Sequence, residues 1–208
     1  MHPLHLCQKM ILLFLSKIIV RIVKLKKQIT QYAFLTRVKP LLAQVGTDCV
    51  LEYPFSILGE SCISIGNHFV ARKRLKLRAF TSFNNQKFTP EIKIGDYVSI
   101  ETDCHIACIN KVKIGNNVLI ASKVFISDHI HGLSDYSDIH QPPLLRDLTS
   151  KGEVNIGNNV WIGEGVTILS GVSIGANSVI GANSVVNKSI PSNCVAAGIP
   201  AKIVKQIT

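Results

Sequence analysis

The most regular feature of the chain is a branched aliphatic residue that returns every sixth position. Ile94, Ile100 and Ile106 open the count, Ile114, Ile120 and Ile126 resume it, and Ile156, Ile162, Ile168, Ile174, Ile180 and Val186 complete it. Glycine follows six of them, at Gly95, Gly115, Gly157, Gly163, Gly175 and Gly181. A small or β-branched residue stands four places on in most units, as at Val98, Cys104, Val118, Val160, Val172 and Ser178. A period of six is neither helical nor alternating. It describes a solenoid of short strands in which the aliphatic points inward and Gly or Asn takes the tight corner. Asn116-Asn117, Asn158-Asn159, Asn177 and Asn183 are the expected corners, because asparagine tolerates left-handed backbone angles. Three sides would make a triangular coil, although the period alone does not dictate three.

Ahead of this body the pattern is helical. Lys17, Arg21, Lys24 and Gln28 recur on one side between Met10 and Leu35, while Ile18, Ile19, Ile22, Val23, Leu25 and Ile29 fill the remaining arc. This predicts a basic amphipathic helix that ends before Pro40. Two partners are open to its apolar side: the acyl region of an anionic membrane surface, reached through residues 10–35, or the body of the protein or a neighbouring copy. The expected organisation is a helical segment over 1–45 and a β-solenoid over 46–208, with a loop at 128–153 that interrupts one coil.

Charge sharpens this division. The chain has 208 residues, 47% of them hydrophobic, and a formal net charge of +10. Residues 1–47 hold eight basic side chains and no Asp or Glu, whereas the remainder is close to neutral. A second basic cluster, Arg72 to Arg78, alternates Arg72, Arg74, Lys76 and Arg78 and reads as one strand edge, facing an acidic glycan, a lipid diphosphate or only solvent. Neither cluster carries a nucleic-acid motif or an aromatic platform, so no nucleic-acid partner is expected. Six cysteines without C-x-x-C spacing read as reduced thiols in a cytosolic protein. Met10–Leu15 is too short for a secretory signal and is followed at once by Lys17, and no run of apolar residues is long enough to span a bilayer.

With the twelve aliphatics, the stretches Ile156-Gly157-Asn158-Asn159-Val160-Trp161-Ile162-Gly163 and Ala197-Gly198-Ile199-Pro200-Ala201-Lys202 resemble the hexapeptide-repeat acyltransferases. His105 to Asn110 and Ser127-Asp128-His129-Ile130-His131-Gly132 are most similar to the branch that O-acetylates bacterial surface polysaccharides. The resemblance covers roughly 46–208. It implies a mainly β fold, a left-handed parallel β-helix assembled as a homotrimer, with acetyl-CoA as co-substrate and no metal.

The chemistry is expected where the repeat breaks. Residues 128–153 hold His129, His131, His140, Asp135, Asp138 and Asp147, and a loop of this length in a compact solenoid is often functional. Acetyl transfer to a sugar hydroxyl needs a group that takes the proton as the oxygen attacks the thioester, a task suited to histidine with its ordinary pKa of about 6.5. The resemblance puts His129 at the position of the catalytic base. His131 is the second candidate, with orienting the loop, touching the acceptor or a plain polar role all open to it. Asp128 is placed with the acceptor-binding residues, and capping the turn or polarising a histidine are its other readings. Direct transfer is preferred over an acyl-enzyme on Cys104 or Cys108, both of which stand in aliphatic runs.

The resemblance also implies a donor groove between adjacent subunits, with Trp161, Gly163, Glu164, Ala182, Asn187 and Lys188 along it and Lys202 and Lys205 for the phosphates of CoA. On the acceptor side, Glu101 and His105 are the candidates to hold a sugar of a surface glycan or its lipid-linked precursor. Three competing readings stay open. One is N-acetylation of an amino sugar. Another is a zinc enzyme of the γ-carbonic-anhydrase kind, against which stands the lack of any H-x-x-x-x-H. The last is a solenoid without catalysis.

Overall fold

The computed structural model describes residues 3–132 and 140–207. Asp135 and Asp138 of the expected active-site loop lie outside these residues. The chain opens with one long helix, α1 (Pro3–Ala33), continues through a wide helical turn (Phe34–Val38) and a 3-10 turn (Lys39–Leu41), and then winds as a solenoid of short strands. No helix among the described residues is long and apolar enough to cross a membrane.

The solenoid has three parallel faces. The first stacks strands from Gln44–Val45 through Glu91–Ile94 and Lys111–Ile114 to Ser173–Ile174; the second runs from Val50–Leu51 through Ser99–Ile100 and Trp161–Ile162 to the closing hairpin Cys194–Gly198 and Ala201–Gln206; the third runs from Ser56–Leu58 through His105–Cys108 and Phe125–Ser127 to Val185–Val186. The sixfold count explains the register. Ile94, Ile114, Ile156 and Ile174 stack in line on the first face, Ile100, Ile120, Ile162 and Ile180 on the second, and Ile106, Ile126, Ile168 and Val186 on the third. All twelve are buried in one continuous core. One six-residue unit makes one face, so three make a turn and the same side chain type returns directly above itself.

The columns continue toward the N-terminus below the first counted aliphatics, starting at Gln44–Val45. Val45, Leu51 and Ile57 and then Ile65, Ala71 and Leu77 occupy the same three columns beneath Ile94, Ile100 and Ile106. Phe34 is fully buried against this first turn, with its ring edge-on to Phe55 at 6.2 Å, and Gln31 Nε2 donates to the Cys49 carbonyl at 2.8 Å. The C-terminal end of α1 is thereby fixed to the body. Its apolar positions from Met10 to Leu25 are exposed.

The corners follow the expected chemistry. Asn117, Asn159, Asn177 and Asn183 have φ between 56° and 60°. Asn116 and Asn158 do something else: their side-chain oxygens accept the backbone N–H groups of Asp96 and Asn116, each at 2.8 Å, tying successive coils together. A Cβ on Gly95 would strike Asn116 Oδ1 and sit 2.7 Å from the Gly115 carbonyl, so the stacking distance requires glycine there.

The Arg72–Arg78 segment is not one strand. It turns a corner, with Arg74 at φ 62° and only Lys76–Ala79 in the third face. Arg72 pairs with Glu52 at 2.9 Å and Arg74 forms a two-pronged ion pair with Asp103, so the period-two stripe is split between different neighbours.

Candidate active site

Every interruption of the sixfold count falls at the same edge, where the chain leaves the third face for the first: between Ile57 and Ile65, Leu77 and Ile94, Ile106 and Ile114, and Ile126 and Ile156. Two excursions leave the prism there. One is a β-hairpin with strands Ser82–Phe83 and Gln86–Lys87, and the other is the loop that begins as Ile130–His131 and returns as Leu148–Thr149. They lean on one another. The Gln86 side-chain amide accepts the Leu148 N–H at 2.7 Å and donates to the Leu148 carbonyl at 3.1 Å, and the Phe83 ring packs edge-on to His131 at 5.2 Å. The hairpin was not foreseen, although Asn84-Asn85 between Ser82-Phe83 and Gln86-Lys87 is a turn signal.

His129 stands at the root of the second excursion. Its Nδ1 lies 2.9 Å from Asp128 Oδ1, and its ring meets the edge of Phe80 at 5.8 Å, at the root of the hairpin. Asp128 is 0% exposed. Its Oδ1 also accepts the Ile109 N–H at 2.9 Å, its Oδ2 accepts the Asn110 N–H at 2.8 Å and the Cys108 thiol at 3.2 Å, and its carbonyl accepts the Ser170 hydroxyl at 2.7 Å. Burial works against a charge on Asp128, but the hydrogen bonds from His129, Ile109, Asn110 and Cys108 outweigh it and hold the carboxyl below the usual aspartate range. A carboxylate on Nδ1 selects the tautomer with hydrogen there. Nε2 is then the acceptor.

Of the readings open to Asp128, this geometry fits polarisation of His129, because its side chain has no exposed surface and its oxygens accept protein donors. His131 sits on the exposed side of the loop ribbon against Phe83, and no carboxylate among the described residues orients it. The cysteines are poor nucleophiles. Burial pushes the Cys104 thiol up to about 11, and burial together with the Asp128 charge pushes Cys108 well above the usual thiol range.

The donor candidates fall into two groups. Trp161, 52% exposed, heads an outward ladder on the second face through Val179 and Val195 to Lys205. Beside it, at the edge between second and third faces, a row of small residues runs from Gly163 past Gly181 and Ala182 to Ala197, which pairs with Lys202. A Cβ on Gly163 would lie 2.6 Å from the Ala182 nitrogen. An irregularity at Val195/Ala196 lets Lys202 and Lys205 project to one side although they are three apart. Glu164 is held by Lys123 at 2.8 Å. The small residues thus run beside an indole, and their row ends next to two ammonium groups.

Asn187 and Lys188 are not on that edge. They follow Val185–Val186 and lie above the His129 corner, at the opposite end of the third face. Glu101 follows Ser99–Ile100 on the Gly163 edge, with Arg72 Nε at 3.8 Å. His105 faces outward on the third face with its ring 5.3 Å from Phe125, and its Nε2 finds no hydrogen-bond partner among the described residues. Burial, with the nearby Lys76 and Arg78 charges, lowers its pKa. One chain therefore brings His129, Asn187 and Lys188 to one edge and Trp161, Gly163, Ala182, Lys202, Lys205 and Glu101 to another, with His105 at the start of the third face beside Arg74 and Asp103. No group of three His, Cys, Asp or Glu among the described residues is arranged to hold a metal ion.

Comparison with known proteins adds four findings. Residues 153–188 match the family described as bacterial transferase hexapeptide (six repeats). The chain is 42% identical over 161 residues to WbbJ of Escherichia coli (strain K12), which carries a provisional name as a lipopolysaccharide biosynthesis O-acetyl transferase; the match covers 76% of this chain and 78% of the relative. Among solved structures, a galactoside acetyltransferase in complex with coenzyme A superposes with a TM-score of 0.57 at 32% identity, covering 88% of this chain and 80% of the other. AntD, an N-acyltransferase from Bacillus cereus solved with dTDP and coenzyme A, superposes with a TM-score of 0.67 at 21% identity over 82% and 87%, a likeness of fold. The coil is the left-handed parallel β-helix of these hexapeptide-repeat proteins.

Proposed function

Because the chain belongs to the bacterial hexapeptide-repeat transferases, we propose that it is an acetyl-CoA-dependent O-acetyltransferase whose acceptor is a sugar hydroxyl of a surface polysaccharide or its lipid-linked precursor. The observation that carries this reading is the His129 Nδ1 to Asp128 Oδ1 contact of 2.9 Å, with Asp128 locked by buried donors. Nε2 of His129 takes the proton of the sugar hydroxyl as that oxygen attacks the thioester carbonyl carbon. The carbon–sulfur bond then breaks, and the proton passes to the departing thiolate of CoA. The acetyl group passes directly from CoA to the sugar oxygen, without a covalent enzyme intermediate. The provisional name of the 42% identical relative supports the glycan acceptor, and the CoA-bound galactoside acetyltransferase supports the donor.

The separation of the two groups of candidates supports a homotrimer. His129 occupies one edge of the prism and the Trp161–Lys205 groove another, so a second copy must bring its groove against the first copy's imidazole for transfer to occur. Acetyl-CoA lies in that groove, with Lys202 and Lys205 as point charges for its phosphates. The basic helix α1, free of the body along most of its length, rests on the anionic inner face of the membrane, where a lipid-linked acceptor is presented.

The test is His129→Ala in the full-length protein, assayed by CoA release with glycan fractions as acceptors. Turnover should fall by roughly 10²–10⁴-fold, with the assembly size unchanged by light scattering. Undiminished turnover overturns the assignment of the base.

A further inference from the structure

Between the two excursions, beside the His129 corner, lies an open pocket of about 420 Å³. Its floor is apolar, formed by Phe88, Ile109 and Leu148, and its rim is polar, with Lys87, Asn110 and Ser150. The floor is continuous with the catalytic machinery. The Ile109 and Asn110 N–H groups hold the Asp128 carboxylate, and Leu148 pairs with His131 at the base of the loop. The hairpin that supplies Lys87 and Phe88 starts from Phe80, which packs on the His129 ring.

We infer that this notch is an acceptor subsite for a pyranose bearing an anionic substituent, a carboxylate or a phosphate. The inference rests on the acetyltransferase reading and extends it to the class of acceptor. A sugar ring has an apolar C–H face and a hydroxyl rim, which matches a floor of Phe88, Ile109 and Leu148 under the Asn110 amide and the Ser150 hydroxyl. Lys87 is the charged group of the pocket. Glu91, the acidic residue nearest along the chain, is engaged by Lys111 at 2.7 Å, and no ion pair of Lys87 occurs among the described residues. An exposed ammonium at the mouth of an otherwise neutral pocket is complementary to an anion. The Gln86 clamp on Leu148 holds the two walls together, so the notch is formed before a ligand arrives.

The experiment is calorimetric titration of the full-length protein with methyl β-glucuronide, glucose 6-phosphate, methyl β-glucoside and inorganic phosphate, repeated with Lys87→Ala and Lys87→Glu after confirming unchanged thermal melts. At least one anionic sugar should bind about tenfold or more tightly than the neutral glucoside, and Lys87→Glu should erase that preference. The carboxylate and phosphate arms tell the two anionic groups apart. Equal binding of all three sugars, or indifference to Lys87→Glu, overturns the inference. Inorganic phosphate binding as tightly as glucose 6-phosphate also overturns it, since the apolar floor would then contribute nothing. His129→Ala separates the two readings. Anionic sugar binding that survives in this variant while no glycan is acetylated by the wild type leaves the subsite standing without the transferase. Transfer that needs His129 but ignores Lys87 does the reverse.

Discussion

Asp128 and His129 are consecutive residues whose side chains meet, Oδ1 to Nδ1 at 2.9 Å, although one is sealed in the protein and the other reaches the surface. The contact exists because the coil ends at Asp128. The tight corner of the preceding coil directs the Ile109 and Asn110 N–H groups at its carboxylate, and the chain then leaves the prism with His129 as its first residue outside.

Asp128→Asn should therefore act through His129. An amide keeps most of the volume but presents a single acceptor and no charge, so the imidazole loses its preference for hydrogen on Nδ1. Turnover should fall by about tenfold or more, with the binding of acetyl-CoA, measured by calorimetry, little changed. A loss confined to acetyl-CoA binding would contradict the positioning role.

The same carboxylate sets an acid limit to stability. Its pKa is lower in the folded chain than in the unfolded one, so its contribution is complete above the ordinary aspartate value of about 3.9 and is lost as pH falls toward the lower, folded value. Denaturation midpoints of wild type and Asp128→Asn should differ by a constant amount from neutral pH down to about pH 4 and converge below it. A difference that grows on acidification would refute this account.

The buried thiols give a separate check on direct transfer. Cys104, with its pKa pushed up to about 11, and Cys108 should resist iodoacetamide in the native protein at pH 8 and react on denaturation, as seen by mass spectrometry. An acetyl adduct on either residue, trapped with acetyl-CoA and no acceptor, would replace direct transfer with an acyl-enzyme.

Removal of residues 1–28 tests the helix. Gln31 and Phe34, which fasten α1 to the first coil, remain, so the melting temperature of the coil should change little. Sedimentation with phosphatidylglycerol vesicles should fall to background for the truncated protein, and for the intact protein it should weaken as salt rises. Equal sedimentation of both forms excludes α1 as the lipid contact.

The stacking of coils carries its own expectation. Gly95→Ala places a methyl group against Asn116 Oδ1 and the Gly115 carbonyl, with backbone on one side and a hydrogen-bonded amide on the other, neither free to yield. Overpacking of this kind costs about 1–3 kcal/mol, measurable as a drop in the urea midpoint. An unchanged midpoint would mean that the coils can slide apart locally.

By itself the sequence determined the coil. A six-residue period with one inward aliphatic per unit marks which residues face the core, whereas the sorting of Ile94, Ile100 and Ile106 into three columns came from the stacked faces. It also marked the longest break in the repeat, and the resemblance to the acyltransferases pointed to His129 at the start of that break. It did not mark the column residues of the lower coils, where Ala71 and Leu77 keep the period without a β-branched side chain. Nor did it fix the role of Asp128, which depends on N–H groups from a coil that precedes it by eighteen and nineteen residues. Only the tertiary structure placed both excursions at one edge and separated the Trp161 groove from the His129 corner. Periodicity records which side of a strand faces the core, whereas the contacts between edges depend on how far each corner displaces the chain, and that distance is set by three-dimensional stacking.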